Sequence, residues 1–164
     1  METTFLNKKS ANFIGGSFKF PDRSTLDVIS PIDGSKISEV PESNTSDLDE
    51  AVKAARKAFP SWSNLTLKER VQFFFRYRTL LEENREELAQ LVQLENGKTM
   101  GESYAEVDKS IELCEFAVSM PQIVKNEIQE VSRGVECRIE RKALGVVASI
   151  SPFNFPNMVP HWTI

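Results

Sequence analysis

The apolar segment at residues 146–150, Val-Val-Ala-Ser-Ile, constrains the fold of this chain more than any other segment. A short apolar run without alternation is typical of a strand that is buried on both faces. Such a strand needs neighbouring strands and covering helices, which predicts an α/β protein with a parallel sheet. Only eight residues follow Pro156, too few for a helix that covers a sheet. We therefore expect this chain to be the N-terminal part of a longer protein, in which the main sheet has just begun.

Three upstream stretches have the apolar spacing of amphipathic helices. Glu69 lies three residues after Thr66, which predicts a capping box at the start of the second helix. Gly97 suits the left-handed cap at the end of that helix. The three predicted helices run from Ser46 to Pro60, from Thr66 to Gly97 and from about Met100 to Met120.

Short strands are predicted on both sides of the helices. The Gly15-Gly16 pair favours a tight turn between two strands, and Asp33-Gly34 favours a second hairpin. From Val135 onward the apolar residues alternate with charged ones, which predicts a strand with one wet face in an antiparallel arrangement. The sequence thus predicts two hairpins, three helices, antiparallel strands and then the buried strand.

Composition excludes several classes of protein. The formal net charge is −4 at pH 7, and the pI near 5.2 argues against a nucleic-acid binder. No apolar run reaches the ~20 residues that a membrane helix needs. The start, Met-Glu-Thr-Thr, does not lead into the apolar core of a secretory signal. Two cysteines without a pairing pattern favour a reducing, cytoplasmic location, and we predict no metal site.

The motif that carries chemistry follows the predicted buried strand. Its sequence is Ser-Pro-Phe-Asn-Phe-Pro, at residues 151–156. Ligands of open α/β sheets bind beyond the carboxyl ends of the strands. Because prolines stiffen the backbone on either side of Asn154, its carboxamide can donate a hydrogen bond to an oxygen in the cleft. A simple turn-forming role for this asparagine is the alternative.

Other candidate residues favour structural roles. Gly97-Lys98-Thr99 resembles the end of a phosphate-binding loop, but position 92 is a valine and a helix precedes it, so a helix cap is the better interpretation. His161 is the only histidine, and the sequence gives it no partner, which favours a packed or surface residue. The arginines of the second helix predict a solvated face. They are Arg70, Arg76 and Arg78.

The order of motifs along the chain resembles the aldehyde dehydrogenase superfamily. The Pro-Phe-Asn-Phe-Pro segment is most similar to the CoA-acylating methylmalonate-semialdehyde dehydrogenase branch, since many hydrolytic relatives carry tryptophan where Phe153 stands. The matching segments are, in order, residues 13–16, residues 30–40, residues 51–62 with Ala-Phe-Pro-x-Trp, residues 94–99 with Glu-Asn-Gly-Lys, and residues 144–156.

This resemblance implies a reaction and its cofactors. A cysteine attacks the aldehyde, the thiohemiacetal gives a hydride to NAD, and the thioester passes to coenzyme A. Asn154 would donate its side-chain N–H to the oxyanion, and Ser151 and Phe153 would bind the nicotinamide side of NAD. The family's nucleophile and phosphate-binding turn lie downstream of this motif, so we expect the 164-residue chain alone to be inactive.

The resemblance also implies a division of the chain. Residues 1–124 would form the N-terminal part of the NAD-binding domain, residues 125–143 the strands of an oligomerisation arm, and residues 144–164 the start of a Rossmann-like core. The expected partners are an aldehyde, NAD and further copies of the subunit, as a homodimer or homotetramer. Two alternatives stay open: a hydrolytic NAD(P)-dependent enzyme that releases a free acid, and a short, inactive product that acts in subunit assembly.

Overall fold

The computed structural model describes residues 9–164, so the Met-Glu-Thr-Thr start and the first residues of the predicted N-terminal domain lie outside it. Strands and helices follow one another in the predicted order. The strands are β1 (Asn12–Ile14), β2 (Ser17–Lys19), β3 (Thr25–Ile29), β4 (Lys36–Pro41), β5 (Glu127–Ser132) and β6 (Val135–Ile139). The helices are α1 (Thr45–Ser63), α2 (Leu67–Glu83), α3 (Arg85–Asn96), α4 (Met100–Val118) and α5 (Met120–Ile123), and a 3-10 turn covers Val159–Trp162.

The strands form three separate antiparallel hairpins within the described residues. The predicted turn between β1 and β2 is confirmed, with Gly15 at φ +61° and Gly16 at φ +81°. Side chains with a Cβ rarely adopt these angles, which is why two glycines occupy the turn. The hairpins of β3 with β4 and of β5 with β6 follow the predicted order.

The first helix differs from the prediction at both ends. Asn44, not Ser46, is its N-cap: the Asn44 side chain accepts from Ser46 N at 2.9 Å, and Asp47 accepts from Asn44 N at 2.8 Å. The helix also continues through Pro60 to Ser63. A proline removes one backbone hydrogen bond, and α1 tolerates that loss in its last turn.

The second predicted helix is two helices. Asn84 separates α2 from α3, and its side chain donates to Leu80 O at 2.7 Å. Asparagine competes for backbone carbonyls in this way, which favours a helix end over a helix interior. The capping box of Thr66 and Glu69 and the left-handed cap at Gly97 are confirmed.

The hydrophobic core lies between α2, α3 and α4. Val107 and Ala89 are fully buried there, and Tyr77 and Tyr104 pack against the edges. The core residues share one face of each helix, as the apolar spacing predicted. They are Leu81, Ala89, Val107, Ile111 and Cys114.

The second hairpin contacts the end of α3 through its turn. Ser30 is buried and donates its hydroxyl to Leu94 O at 3.0 Å. A Cβ built on Gly97 would lie 3.1 Å from Cγ of Pro31. Glycine is thus required at this position both by its φ of +77° and by the close approach of the hairpin.

The main difference from the prediction lies at residues 146–150, where a buried strand was expected. These residues have no strand partner among the described residues, and they are exposed. A strand buried on both faces needs hydrogen-bonding neighbours, and residues 9–164 place none beside it. Within residues 9–164 the helices pack on one another, and the parallel sheet that was predicted for a longer protein stays a prediction. The β5–β6 hairpin is also exposed on both faces, although one buried face was predicted.

Candidate active site

The corner, residues 151–156, is a turn on the surface beside α3 and α4. Asn154 is exposed, and its carboxamide makes no hydrogen bond to any residue from 9 to 164. Ser151 is exposed as well, and Phe153 leaves 86% of its surface accessible. The three predicted site residues thus share one exposed corner, with their side chains available to a ligand.

Two side chains from the end of α3 hold the backbone of this corner. Asn96 donates its side-chain Nδ2 to the carbonyl of Phe153 at 3.0 Å. Lys98 donates its Nζ to the carbonyl of Asn154 at 2.7 Å. The main-chain carbonyls of Phe153 and Asn154 are thus held, while the Asn154 side chain makes no hydrogen bond within residues 9–164.

Lys98 links the corner to α4. Its Nζ lies 2.5 Å from Oε2 of Glu106 and 4.0 Å from the centre of the Phe155 ring. An ammonium over an aromatic face is attracted by the ring quadrupole. One charged group therefore contacts a carboxylate, a carbonyl and an aromatic ring at the same corner.

Glu106 is buried, with only 1% of its side chain exposed. Its second oxygen, Oε1, accepts from the backbone N–H groups of Asn157 at 2.7 Å and Met158 at 3.1 Å. A buried carboxylate requires a counter-charge and hydrogen bonds, and Lys98 with these two amides supplies them. Asn157 adds a further link by donating Nδ2 to Ser110 Oγ at 3.0 Å. The segment after the corner is therefore held on α4.

His161 has partners that the sequence did not reveal. Its Nδ1 lies 2.5 Å from the carbonyl of Asn157, and its Nε2 lies 2.8 Å from the hydroxyl of Tyr77. Because a carbonyl only accepts, Nδ1 donates to the carbonyl of Asn157, and in the neutral ring Nε2 then accepts from the hydroxyl of Tyr77. Burial raises the pKa of Tyr77. This histidine joins the 3-10 turn to α2, so it is packed, which is one of the two structural roles that the sequence favoured.

The two cysteines do not form a reactive site within the described residues. Cys114 is buried in the core, and burial raises the pKa of its thiol. Cys137 is exposed on β6 and is unpaired with Cys114. A buried thiol with a raised pKa is a poor nucleophile at neutral pH, since the thiolate is the reactive form. No cluster of metal-ligating side chains is present in residues 9–164.

The arginines of α2 have three different environments. Arg78 pairs with Glu82 and Glu115, both at 2.6 Å. Arg76 lies over the ring of Phe73 at 4.7 Å. Arg70 departs from the predicted solvated face, because its Nε is buried without a hydrogen-bond partner among the described residues.

An apolar groove of about 530 Å³ lies between α2, α4 and the 3-10 turn. His161 and Trp162 are on its wall, and none of the three predicted site residues lines it. Within the described residues, no helix is both long and apolar enough to span a bilayer. The corner, not this groove, carries the hydrogen-bonding groups that were predicted to act.

No role for Glu106 was predicted from the sequence, and Lys98 was named only as part of the Gly97-Lys98-Thr99 motif. The signal was present in α4, where buried residues recur at helical spacing: Ser103, Glu106, Val107, Ser110, Ile111 and Cys114. A glutamate within a buried stripe indicates a buried partner of opposite charge. Lys98, eight residues earlier and just outside the helix, is that partner.

The fold and the corner together match one class of protein. The sequence model of the aldehyde dehydrogenase family matches residues 19–164. This chain belongs to the aldehyde dehydrogenase family. It is 44% identical over 153 residues to malonate-semialdehyde dehydrogenase 2 of Bacillus mycoides, covering 92% of this chain and 32% of that protein.

Solved structures give the same result. The crystal structure of methylmalonate-semialdehyde dehydrogenase from Oceanimonas doudoroffii superimposes with a TM-score of 0.90 at 32% identity, over 96% of this chain and 32% of that one. The structure of PnpE in complex with nicotinamide adenine dinucleotide gives a TM-score of 0.86 at 35% identity, over 93% of this chain and 32% of that one. The chain thus spans about a third of the length of its relatives.

Proposed function

We propose that this chain is the N-terminal part of an NAD-dependent aldehyde dehydrogenase that oxidises malonate or methylmalonate semialdehyde in the cytoplasm. The observation that carries the proposal is the free carboxamide of Asn154 on a corner whose backbone is held in place. Two similarities support the substrate class: a malonate-semialdehyde dehydrogenase relative and a methylmalonate-semialdehyde dehydrogenase structure.

Asn154 has the chemistry of an oxyanion donor. Its Nδ2 carries two N–H groups, and none is engaged with a residue from 9 to 164. Such a donor stabilises the substrate carbonyl oxygen most when that oxygen gains negative charge, which accelerates the reaction. A donor that is already oriented needs no rearrangement at the moment of reaction, and the tethered backbone of Asn154 meets this condition. Loss of one such donor typically costs about 2.7–4 kcal/mol in the barrier.

Ser151 and Phe153 fit the nicotinamide end of NAD in chemical type. Ser151 offers a hydroxyl and main-chain groups, and Phe153 offers an exposed aromatic ring, all within three residues of Asn154. When bound, NAD supplies the acceptor for the hydride that leaves the substrate carbon. The two residues would orient the nicotinamide beside the carbonyl that Asn154 holds.

The nucleophile in this proposal is a cysteine from the remainder of the protein. Cys114 is buried with a raised pKa, and Cys137 is on an exposed hairpin, so neither is offered as the attacking thiol. The attacking thiol would form a thiohemiacetal and then a thioester, whose acyl group passes to coenzyme A. This 164-residue chain is then inactive by itself, and its role is to supply the oxyanion donor and part of the cofactor contact.

Self-association is part of the proposal, since the β5–β6 hairpin exposes apolar side chains on both faces. Ile128 is 64% exposed and Ile139 is 57% exposed. An unpaired hairpin with apolar side chains is suited to pairing with another chain. We assign it to contacts between copies of the same subunit, as a homodimer or homotetramer.

Asn154→Ala in the full-length protein tests the proposal. With malonate semialdehyde and NAD, we expect kcat to fall ~10²–10³-fold, as for other oxyanion donors. Asn64→Ala, which truncates an exposed asparagine just after α1, is the matched control and should retain full turnover. An Asn154→Ala enzyme as fast as the control would remove the oxyanion role. Assays with and without coenzyme A then separate acyl transfer from hydrolysis, and turnover that ignores coenzyme A would reject the acylating reaction.

A further inference from the structure

We infer that Lys98 and Glu106 are positioning residues for Asn154, and that with Asn96 they form a clasp that fixes the backbone from which its carboxamide projects. This inference rests on the proposed function of Asn154. It adds the residues that connect Asn154 to helices α3 and α4. The clasp is defined as the side chains of Asn96, Lys98 and Glu106.

The clasp holds the corner at points on both sides of the Asn154 side chain. Before it, the carbonyl of Phe153 accepts from Asn96, and the carbonyl of Asn154 itself accepts from Lys98. After it, the amides of Asn157 and Met158 donate to Glu106. These bonds fix the peptide groups around Asn154, and so they fix the position of its Cα and the direction of the Cα–Cβ bond from which the carboxamide projects. This is the requirement for an oxyanion donor, because the donor must occupy its place before charge develops.

The ion pair connects the two halves of this arrangement. Lys98 and Glu106 meet at 2.5 Å, with 17% and 1% of their side chains exposed. Lys98 therefore contacts the corner directly, and Glu106 contacts the segment immediately after it, at Asn157 and Met158. Glu106 lies on a rigid helix, α4, whose capping box at Thr99 and Glu102 fixes the start of that helix beside Lys98. Through this ion pair and the amides bound to Glu106, α4 helps to set the position of the corner.

A second ion pair between α3 and α4, more exposed than the first, provides a control for the loss of an ion pair between these helices. Arg85 at the start of α3 pairs with Asp108 on α4, at 2.5 Å, only two residues from Glu106. Both pairs join α3 or its end to α4, but the Arg85 pair makes no hydrogen bond to residues 151–158. If kcat depended only on attraction between the helices, removal of either ion pair would lower it. If kcat depends on the position of the corner, only changes in the clasp would lower it.

The test uses the full-length protein and four variants. Lys98→Met should lower kcat by about 10- to 100-fold with little change in KM, the size expected for a group displaced by about 1 Å. Lys98→Arg, which keeps a charged donor, should recover most of this loss, and Arg85→Met should leave kcat within about twofold of the parent enzyme. Lys98→Met/Glu106→Gln should stay slow, because glutamine can still accept from the amides but nothing replaces the donor to the carbonyl of Asn154.

A double-variant comparison identifies the residue through which Lys98 acts. If the clasp works through Asn154, then Lys98→Met should slow the parent enzyme but not an enzyme that already carries Asn154→Ala, because coupled residues are not additive. A further 10-fold loss in the Asn154→Ala background would overturn the inference. If Asn154→Ala leaves kcat unchanged, the proposed function of Asn154 fails, and the inference fails with it.

Hydrogen exchange gives a readout that does not depend on activity. The amides of residues 153–155, 157 and 158 should exchange at least tenfold faster in Lys98→Met than in the parent protein, and the increase there should exceed any increase at the amides of the α2–α3 core. Unchanged exchange at the corner in Lys98→Met would overturn the inference, even where kcat falls. Faster exchange at the corner with unchanged kcat would also overturn it, since the corner would then move without consequence for the reaction.

Discussion

Replacement of Lys98 by methionine should destabilise the helical layer by about 3 kcal/mol. Its partner Glu106 is almost completely buried, with 1% of the side chain exposed. Removal of one member of a buried ion pair typically costs about 3–5 kcal/mol, because the other charge is left buried without compensation. Glu106 keeps its hydrogen bonds from the amides of Asn157 and Met158, at 2.7 and 3.1 Å. These bonds place the expected cost at the lower end of the range.

The double variant Lys98→Met/Glu106→Gln isolates the electrostatic part of this cost. Because no charge remains buried, it should be within about 1 kcal/mol of the parent protein, as replacement of a buried pair by neutral groups often is. Native-state hydrogen exchange of α4 amides in the full-length protein measures both opening free energies. The reasoning is refuted if Lys98→Met changes the opening free energy by less than about 0.5 kcal/mol, or if the double variant is as unstable as the single one.

Two further predictions concern α3 and α4. Gly97→Ala should destabilise the protein by more than about 1 kcal/mol, since its φ is +77° and the new Cβ would meet Pro31 at 3.1 Å. Gly101→Ala, in a helix with open space around it, should instead be neutral or stabilise by up to about 1 kcal/mol. Thermal melts of both variants measure these effects, and equal shifts in melting temperature would contradict the two predictions. Hydrogen bonding from Arg85 lowers the pKa of Asp108 below its usual 3.8. This stabilisation is therefore present above about pH 4 and lost as the pH falls further; Asp108→Asn should flatten that acid limb of the stability curve, and an unchanged limb would contradict the assignment.

Local structure was predictable wherever a few neighbouring residues decide it. The capping box at Thr66 and the left-handed cap at Gly97 depend on contacts within a few residues, and both are confirmed. The helix break at Asn84 was not predicted, because the apolar spacing continues across it. There the side chain of Asn84 competes with the backbone for a carbonyl, and apolar spacing contains no information on that competition.

The candidate site was only partly predictable, because some of its contacts join residues that are distant in the sequence. Two prolines and an asparagine after an apolar run pointed to Asn154, and the structure places its side chain free at the surface. The glutamate within the buried stripe of α4 was a readable signal of a charged partner. Which cation it would meet was not readable, because Lys98 reaches both Glu106 and the corner only in the folded arrangement.

The amino-acid sequence was sufficient to predict the order of hairpins and helices, two of the helix caps, and the proline-flanked corner that carries Asn154. These features arise from backbone preferences and side-chain spacing over a few residues. The contacts of Lys98 with the corner and of Glu106 with the segment after it became visible only in the folded chain, as did the exposure of residues 146–150 within the described part. A buried charge requires a counter-charge, and a buried strand requires hydrogen-bonding neighbours. The residues that meet these requirements come from distant parts of the sequence, so they are determined by packing between distant segments.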